Sequence, residues 1–360
     1  MDNRIKLGIV GLGRAGWGMH VSELKSKESM FQVVAACDTI AKRVEKTVEA
    51  CGCKGYSCIE DLIADPEVEM VDIATRTSTH YLHAKMALEA GKHVLLEKPM
   101  TMNVEEAKEL LAMANKPGKP RLFVRQNRRF EPAYAAVKEI IDSNVLGDVY
   151  EVNITQLGYQ RRDDWQTLQE FGGGQVLNWG PHIIDHALML LGAPVKEQQG
   201  DRKQVTAGGD CEDHFWAYFV GENGRRVNMC ISGGCILNQG RRFLVYGNRG
   251  AIECVNFHLH VKYIDPEQVL PMVEANPGTP GETFGATGTF NEAKDIRWIE
   301  KEYDLPDEDL TVIWDHIYNS LRNGAEYPIR DEQLINLMQA ITNLHADCPL
   351  VDMTAHRDAL

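Results

Sequence analysis

The residues of this 360-residue chain that could do chemistry begin with Gly11, Gly13 and Gly16, in G-x-G-x-x-G order, with Arg14 and Ala15 between the last two. The first glycine of such a run allows a tight turn, the second lets a pyrophosphate approach the backbone, and the third lets helix pack closely on strand. Free amides and the positive dipole end of the helix that follows would favour phosphate there. Asp38 ends a second apolar stretch, Gln32 to Cys37, where a carboxylate can grip ribose hydroxyls. A carboxylate repels a 2′-phosphate, so Asp38 points to NAD rather than NADP.

Three further groups stand out. Lys98, in Glu97-Lys98-Pro99, follows an apolar run. It can hold a substrate hydroxyl by a charge-assisted hydrogen bond, and loss of solvent would lower its pKa; the plain alternative is a solvated lysine. In Gly172 to Gly192, Pro181 reads as the first residue of a helix and puts His182 in the first turn. The dipole there disfavours imidazolium, leaving His182 neutral and able to accept a proton, or simply a capping histidine. Asp185 and His186 share its helix face and read as ordinary surface residues. The third group is Gln126 to Phe130 with Tyr159, Arg161, Arg162, Asp163, Asp164 and Trp165. Flat rings and charged groups suit a polyhydroxylated ligand, or make a salt-bridged surface loop. Cys51, Cys53 and Cys58, and the pair His258 and His260, lack the further ligands a metal needs, so no metal is expected.

Strand-like and helical stretches must position these groups. Ile5 to Val10, Gln32 to Cys37, Met70 to Ala74 and His93 to Leu96 read as buried strands, with a helix from Tyr81 to Ala90 closed by Gly91. Asn103 with Glu106 opens the next helix, and Lys116-Pro117-Gly118 stops it. This alternation predicts a doubly wound parallel sheet of Rossmann type over residues 1–122, with ligands beyond the carboxyl ends of its strands. Residues 123–360 read as an α+β domain with a large, mostly antiparallel open sheet. Its strands are Val149 to Leu157, His214 to Val220, Arg225 to Ile231, Arg241 to Tyr246 and Leu259 to Tyr263; its helices are Ala133 to Ile141, Leu310 to Arg322 and Asp331 to Leu344. A large apolar free face on that sheet would predict self-association. Glu267 to Gly288 reads as an irregular connection.

A net charge of −14 argues against a nucleic-acid partner. No apolar run approaches the roughly 20 residues of a membrane span, and the N-terminal run is too short for a signal peptide. Nine unevenly spaced cysteines suggest reduced thiols and a cytoplasmic protein.

The stretches GLGRAG, THYLHAKMALEAGKHVLLEKPM, NRRFEPAY and GGGQVLNWGPHIID together resemble the glucose-fructose oxidoreductase and inositol dehydrogenase family, Gfo/Idh/MocA. The resemblance spans about half the chain and keeps the family's order. It implies reversible hydride transfer between NAD(P) and a secondary alcohol of a sugar, sugar derivative or cyclic polyol, in a homo-oligomer, dimer or tetramer, joined through the open sheet. Lys98 matches the family's active-site lysine, His182 its histidine, and Pro99 a position where some relatives have a cis peptide. Asn178 stands where many members have an aspartate that relays the proton; an amide cannot take that charge, which makes inositol a poorer candidate. Arg76 replaces a frequent proline, a change the sequence does not explain. The expected cofactor side is Gly11, Gly13, Arg14, Ala15, Gly16, Asp38, Thr75, His80, Glu97 and Lys98. The expected substrate side is Lys98, Arg128, Tyr159, Arg162, Trp165, Asn178 and His182, with Lys98, His182 and Asn178 catalytic and a hexose or glycoside, oxidised at C3 by analogy, as substrate. The competing readings are an enzyme that retains NAD and cleaves glycosides by transient oxidation and elimination, an inositol dehydrogenase, and a non-catalytic dinucleotide or sugar sensor.

Overall fold

The computed structural model describes residues 3–237, 240–270, 272 and 296–354. Most of the connection expected at Glu267 to Gly288 lies outside the described residues.

Six parallel strands form the first sheet: β1 (Ile5–Val10), β2 (Phe31–Cys37), β3 (Lys54–Tyr56), β4 (Met70–Ile73), β5 (His93–Leu96) and β6 (Leu122–Val124), in the order β3-β2-β1-β4-β5-β6. β1, β4 and β5 are buried along almost their whole length, as their unbroken apolar runs require in a sheet covered on both faces. The order reverses between β1 and β4, which opens a crevice beyond their carboxyl ends. Helices cover the sheet. The helix Thr77–Glu89 starts a turn before the expected Tyr81, and Gly91 follows it at φ 77°. Asn103 caps the helix Val104–Met113 by accepting from the Glu106 amide at 2.9 Å, and the Glu106 carboxylate reaches back to the Met102 amide at 3.1 Å. That helix ends three residues before Lys116, sooner than the Pro-Gly pair suggested.

The second sheet has nine strands: β7 (Val149–Leu157), β8 (Val195–Gln204), β9 (His214–Gly221), β10 (Arg226–Ser232), β11 (Arg241–Gly247), β12 (Gly250–Val255), β13 (His258–Ile264), β14 (Trp298–Asp304) and β15 (Leu350–Asp352). Their order is β14-β13-β12-β11-β7-β10-β9-β8-β15, antiparallel except for β7 with β10 and β8 with β15. One face, with Phe215, Phe219, Met229, Phe243 and Ile252, packs into the core beneath the helix Gly180–Leu191. The other face is not the apolar surface considered above. Asn228 donates to Asn153 at 3.0 Å, Arg226 lies 3.8 Å over the Tyr218 ring, Arg241 pairs with Glu253 at 2.6 Å, and His260 pairs with Glu300 at 2.6 Å. Alternation along each strand sends these side chains outward and the apolar ones inward.

The last helices bind the two sheets together. Asp331–Asp347 packs on both Val104–Met113 and Gly180–Leu191, and its Thr342 hydroxyl accepts the Val104 amide at 3.0 Å. Val312–Arg322 lies on the first sheet: Arg322 makes a bidentate pair with Glu69, both contacts 2.6 Å. Its Trp314 is fully buried, edge-on to Phe31 and His20, with the indole N–H donating to Glu23 at 2.7 Å. Trp314→Ala removes this packing and one of the hydrogen bonds to Glu23, so it is expected to lower stability by about 3–5 kcal/mol; urea unfolding followed by circular dichroism checks the loss.

Candidate active site

The glycine turn fits a dinucleotide on its own geometry. Gly11 has φ 91°, and a Cβ on it would stand 2.6 Å from the Ala74 carbonyl oxygen; one on Gly16 would stand 2.0 Å from the Gly11 carbonyl oxygen. Both positions therefore admit only glycine. Gly13 differs, because the Arg43 guanidinium, 3.9 Å away, is all that its Cβ would meet. It faces a cleft of about 310 Å³ walled by Leu12, Arg14, Trp17, Arg43 and Lys46, with Lys46 4.2 Å over the Trp17 ring. Asp38 stands at the end of β2 as expected. Its Oδ2 accepts from the Leu12 amide at 2.7 Å and lies 3.4 Å from Arg43, and its Oδ1 accepts from the Ile40 amide at 2.9 Å. Ala15 starts a π-helical turn, Gly16–Val21, in which the His20 amide bonds to the Ala15 carbonyl at 2.9 Å.

Thr75 and His80 brace the next loop. The Thr75 hydroxyl accepts from Thr79 at 2.9 Å, and buried His80 places Nδ1 2.7 Å from the Pro99 carbonyl and Nε2 3.2 Å from that of Thr75. The Lys98-Pro99 peptide is cis. Arg76, unexplained by sequence, lays its guanidinium 3.9 Å over the Phe171 ring and so clips this loop to the segment before Gly172.

The Lys98 amine donates to the Asn178 carbonyl oxygen at 2.7 Å, which joins β5 of the first sheet to the residues leading into the helix Gly180–Leu191. Burial lowers its pKa to about 8, and the charges of Arg128, Arg162 and Arg14 add to the fall while Glu97 opposes it. Glu97 itself is buried and engaged elsewhere, with His20 at 3.0 Å and Arg125 at 3.3 Å.

His182 lies in the first turn of its helix, and its imidazole is held well below its usual pKa. The expected cause was the helix dipole. Burial is the main cause, followed by the charges of Lys98, Arg128 and Arg242. Its Nδ1 is buried without a hydrogen-bond partner, and the ring meets Trp179 edge-on at 5.9 Å. Asp185 and His186 are not surface residues. Asp185 takes both ends of the Arg129 guanidinium at 2.7 and 2.6 Å; His186 is stacked 4.1 Å from Tyr134 and bonded to the Arg128 carbonyl at 2.9 Å. They anchor the turn Asn127–Phe130 to the helix that carries His182.

The expected substrate side is only partly assembled. Arg162 and Asn178 share a small polar cavity with Gln160, Gln166 and Gln175, and Gln175 Oε1 is a buried acceptor with no partner. Arg128 sits 4.8 Å over the Trp179 ring and is paired with Glu131 and Glu308. Tyr159 is 58% exposed, and Trp165 opens a short 3₁₀ turn. Sequence reasoning missed His20, Arg125, Glu131 and Arg242. An aspartate inside the apolar run of β4 and an arginine just after β6 were the available signals for the first two.

A Rossmann sheet, a fitted glycine turn and a lysine beyond β5 define an NAD(P)-binding oxidoreductase. Residues 5–126 match the model described as "Oxidoreductase family, NAD-binding Rossmann fold", and residues 134–253 match the GFO/IDH/MocA C-terminal domain. An uncharacterized oxidoreductase of Schizosaccharomyces pombe is 32% identical over 77% of this chain and 75% of its own. The chain belongs to the Gfo/Idh/MocA oxidoreductase family. A scyllo-inositol 2-dehydrogenase (NADP(+)) of Bacillus subtilis is 25% identical over 94% of this chain and 92% of its own. The fold is shared with a Bordetella pertussis dehydrogenase solved with NADH and UDP-GlcNAcA, with TM-score 0.75, 19% identity and coverage of 99% and 98% of the two chains. No helix among the described residues is long and apolar enough to cross a membrane.

Gly13→Val should leave the thermal midpoint nearly unchanged, since the added Cβ meets only the Arg43 guanidinium, at ordinary contact distance, yet weaken NADH binding about tenfold or more by blocking the phosphates. Gly16→Val should fail to fold. Fluorescence titration with NADH and a melting curve separate the two outcomes, and undiminished NADH affinity in Gly13→Val contradicts the placement.

Proposed function

We propose that this protein oxidises a ring secondary alcohol of a sugar, glycoside or sugar derivative with NAD, reversibly. The observation that carries the reading is the Lys98 amine held by the carbonyl of Asn178, a residue that lines a small cavity with Gln160, Arg162, Gln166, Gln175, Glu212 and Asp213, together with a neutral His182 whose pKa the Lys98 charge helps to lower. The nicotinamide, when bound, supplies the hydride acceptor or donor. Gly11, Gly13, Arg14, Ala15 and Gly16 would hold the pyrophosphate and Asp38 the adenosine ribose, with Thr75, His80, Glu97 and Lys98 on the nicotinamide side. Residues 123–360 supply the substrate side in this proposal, apart from Lys98.

The protein's own groups handle the proton. Lys98, once neutral, takes or polarises the hydroxyl proton, and His182 is the second acceptor. The Asn178 carbonyl keeps the amine in place, while its carboxamide can bind a hydroxyl without taking a proton. Arg162, Gln160, Gln166 and Gln175 offer the planar donors and acceptors that sugar hydroxyls use. The names of the two dehydrogenases above, one for an inositol and one solved with a sugar nucleotide, support this class of substrate. We place the protein in a reducing compartment, the cytoplasm, because all nine cysteines are free thiols. A dimer or tetramer would form through the free face of the nine-stranded sheet, where Trp216 and Tyr246 stand half-buried among the polar pairs.

Lys98→Met is expected to cut turnover by about 10²- to 10⁴-fold while NADH binding survives; unchanged turnover in a screen of sugars, glycosides and inositols removes Lys98 from the mechanism. Lys98 is the group that must lose a proton, and His182 stays neutral throughout. The oxidation rate kcat/KM should therefore rise with pH through a midpoint near 8, and a profile falling through that midpoint contradicts the assignment. Asp38 predicts tighter binding of NADH than NADPH, and the reverse order in a titration overturns it. Release of free sugar without accumulation of NADH would favour the glycoside-cleaving alternative.

A further inference from the structure

Beneath Lys98 runs a chain of buried charges that the chemistry above does not use. His20 is fully buried, with Nδ1 2.7 Å from Asp72 Oδ2 and Nε2 3.0 Å from Glu97 Oε1. Both partners are carboxylate oxygens, so both ring nitrogens donate and the ring is an imidazolium. Burial opposes that charge, but Asp72 and the two hydrogen bonds prevail and carry its pKa to about 9. Arg125, 1% exposed, donates to the same Glu97 oxygen at 3.3 Å and to Glu23 at 2.5 Å; Glu23 also takes the Trp314 indole N–H at 2.7 Å. Glu97 Oε2 accepts the backbone N–H of Lys98 at 3.1 Å. Both oxygens of Glu97 are thus engaged, and the amine of the next residue bonds to a peptide carbonyl instead.

Such a chain is a poor way to gain stability. Taking five charged side chains out of water costs more than apolar packing of the same volume, and Asp72 Oδ1 and Arg125 Nε are left buried without partners. What the chain does achieve is local. Burial pushes Glu97 towards its neutral form, but His20 and Arg125 outweigh it and hold the carboxylate ionised far below its usual range.

We propose that His20 and Arg125 are positioning residues for Lys98: they lock the Glu97 carboxylate away from the lysine amine and offset part of its charge, leaving the amine a base rather than half of an ion pair. The proposal rests on the acid-base reading of Lys98. The groups that face the amine are Glu97 on its own segment, Arg14 from the glycine turn, Arg128 after β6, Arg162 after β7 and His182 from its helix, with His80 behind the cis peptide. Glu97 is the one carboxylate in that set. A change that frees its charge has nothing else of its sign to be lost among.

The test reads the amine directly and needs no substrate. The full-length protein is trace-labelled with acetic anhydride across pH, and acetylation of Lys98 is followed by mass spectrometry. The wild type should show a midpoint near 8. Arg125→Met should raise it by about one unit or more, with labelling at neutral pH falling about tenfold. His20→Gln, which keeps a donor to Glu97 and drops the charge, should move it the same way, and serves if Arg125→Met does not fold. Arg125→Lys, which keeps the charge, should restore the wild-type midpoint; a merely structural role would not be read out by charge in this way. An unmoved midpoint in Arg125→Met or in His20→Gln overturns the proposal. If Lys98→Met retained turnover, the acid-base reading would fall on its own, whatever the labelling showed.

Discussion

One hydrogen bond organises this site: the Lys98 amine donating to the Asn178 carbonyl oxygen across the junction of the two sheets. A lysine held by a peptide oxygen carries no ion-pair partner, so burial and nearby guanidinium groups can lower its pKa. Had the amine met a carboxylate at that distance, it would stay charged through the physiological range. The remainder of the architecture keeps this arrangement in place. β5 delivers Lys98 from below, and the helix Gly180–Leu191 delivers His182 from above. The helix Val312–Arg322 is tied to the first sheet's side through Glu69 and Glu23, and Asp331–Asp347 joins the helix Val104–Met113 to the helix Gly180–Leu191.

The pKa values of the two bases are lowered for related reasons. Loss of solvent lowers both, and the Lys98 charge lowers the pKa of His182 further, so the imidazole stays neutral while the amine is still charged. Around them Arg128 and Arg242 flank the Trp179 ring, and Glu131, shared between them, is held ionised below its ordinary range in spite of burial. A positive surround of this kind also favours an alkoxide over an alcohol on any substrate placed there. In the proposed reaction this arrangement would favour oxidation.

The glycine turn, four of the six parallel strands and the positions of Lys98 and His182 were legible in the sequence, because each is encoded by neighbours a few residues apart. Gly11 and Gly16 are glycine for local steric reasons, and apolar runs such as His93–Leu96 announce buried strands. What escaped was long-range. His20 meets Asp72 and Glu97, 52 and 77 residues away, and nothing local distinguishes a buried imidazolium from a surface histidine. Asp185 and His186 looked like a helix surface because their partners, Arg129 and the Arg128 carbonyl, come from another element. Arg76 had no account until the Phe171 ring was found beneath it. The short edge strands β3 and β15 carry too little pattern over three residues each to be seen.

The account stands on an amine and an imidazole converging on one alcohol. A crystal structure of the protein with NADH and a bound polyol measures this most directly. The alcohol oxygen nearest the nicotinamide should lie within about 3.2 Å of both Lys98 Nζ and a ring nitrogen of His182. An alcohol held by other residues, with Lys98 and His182 on opposite walls, would contradict it.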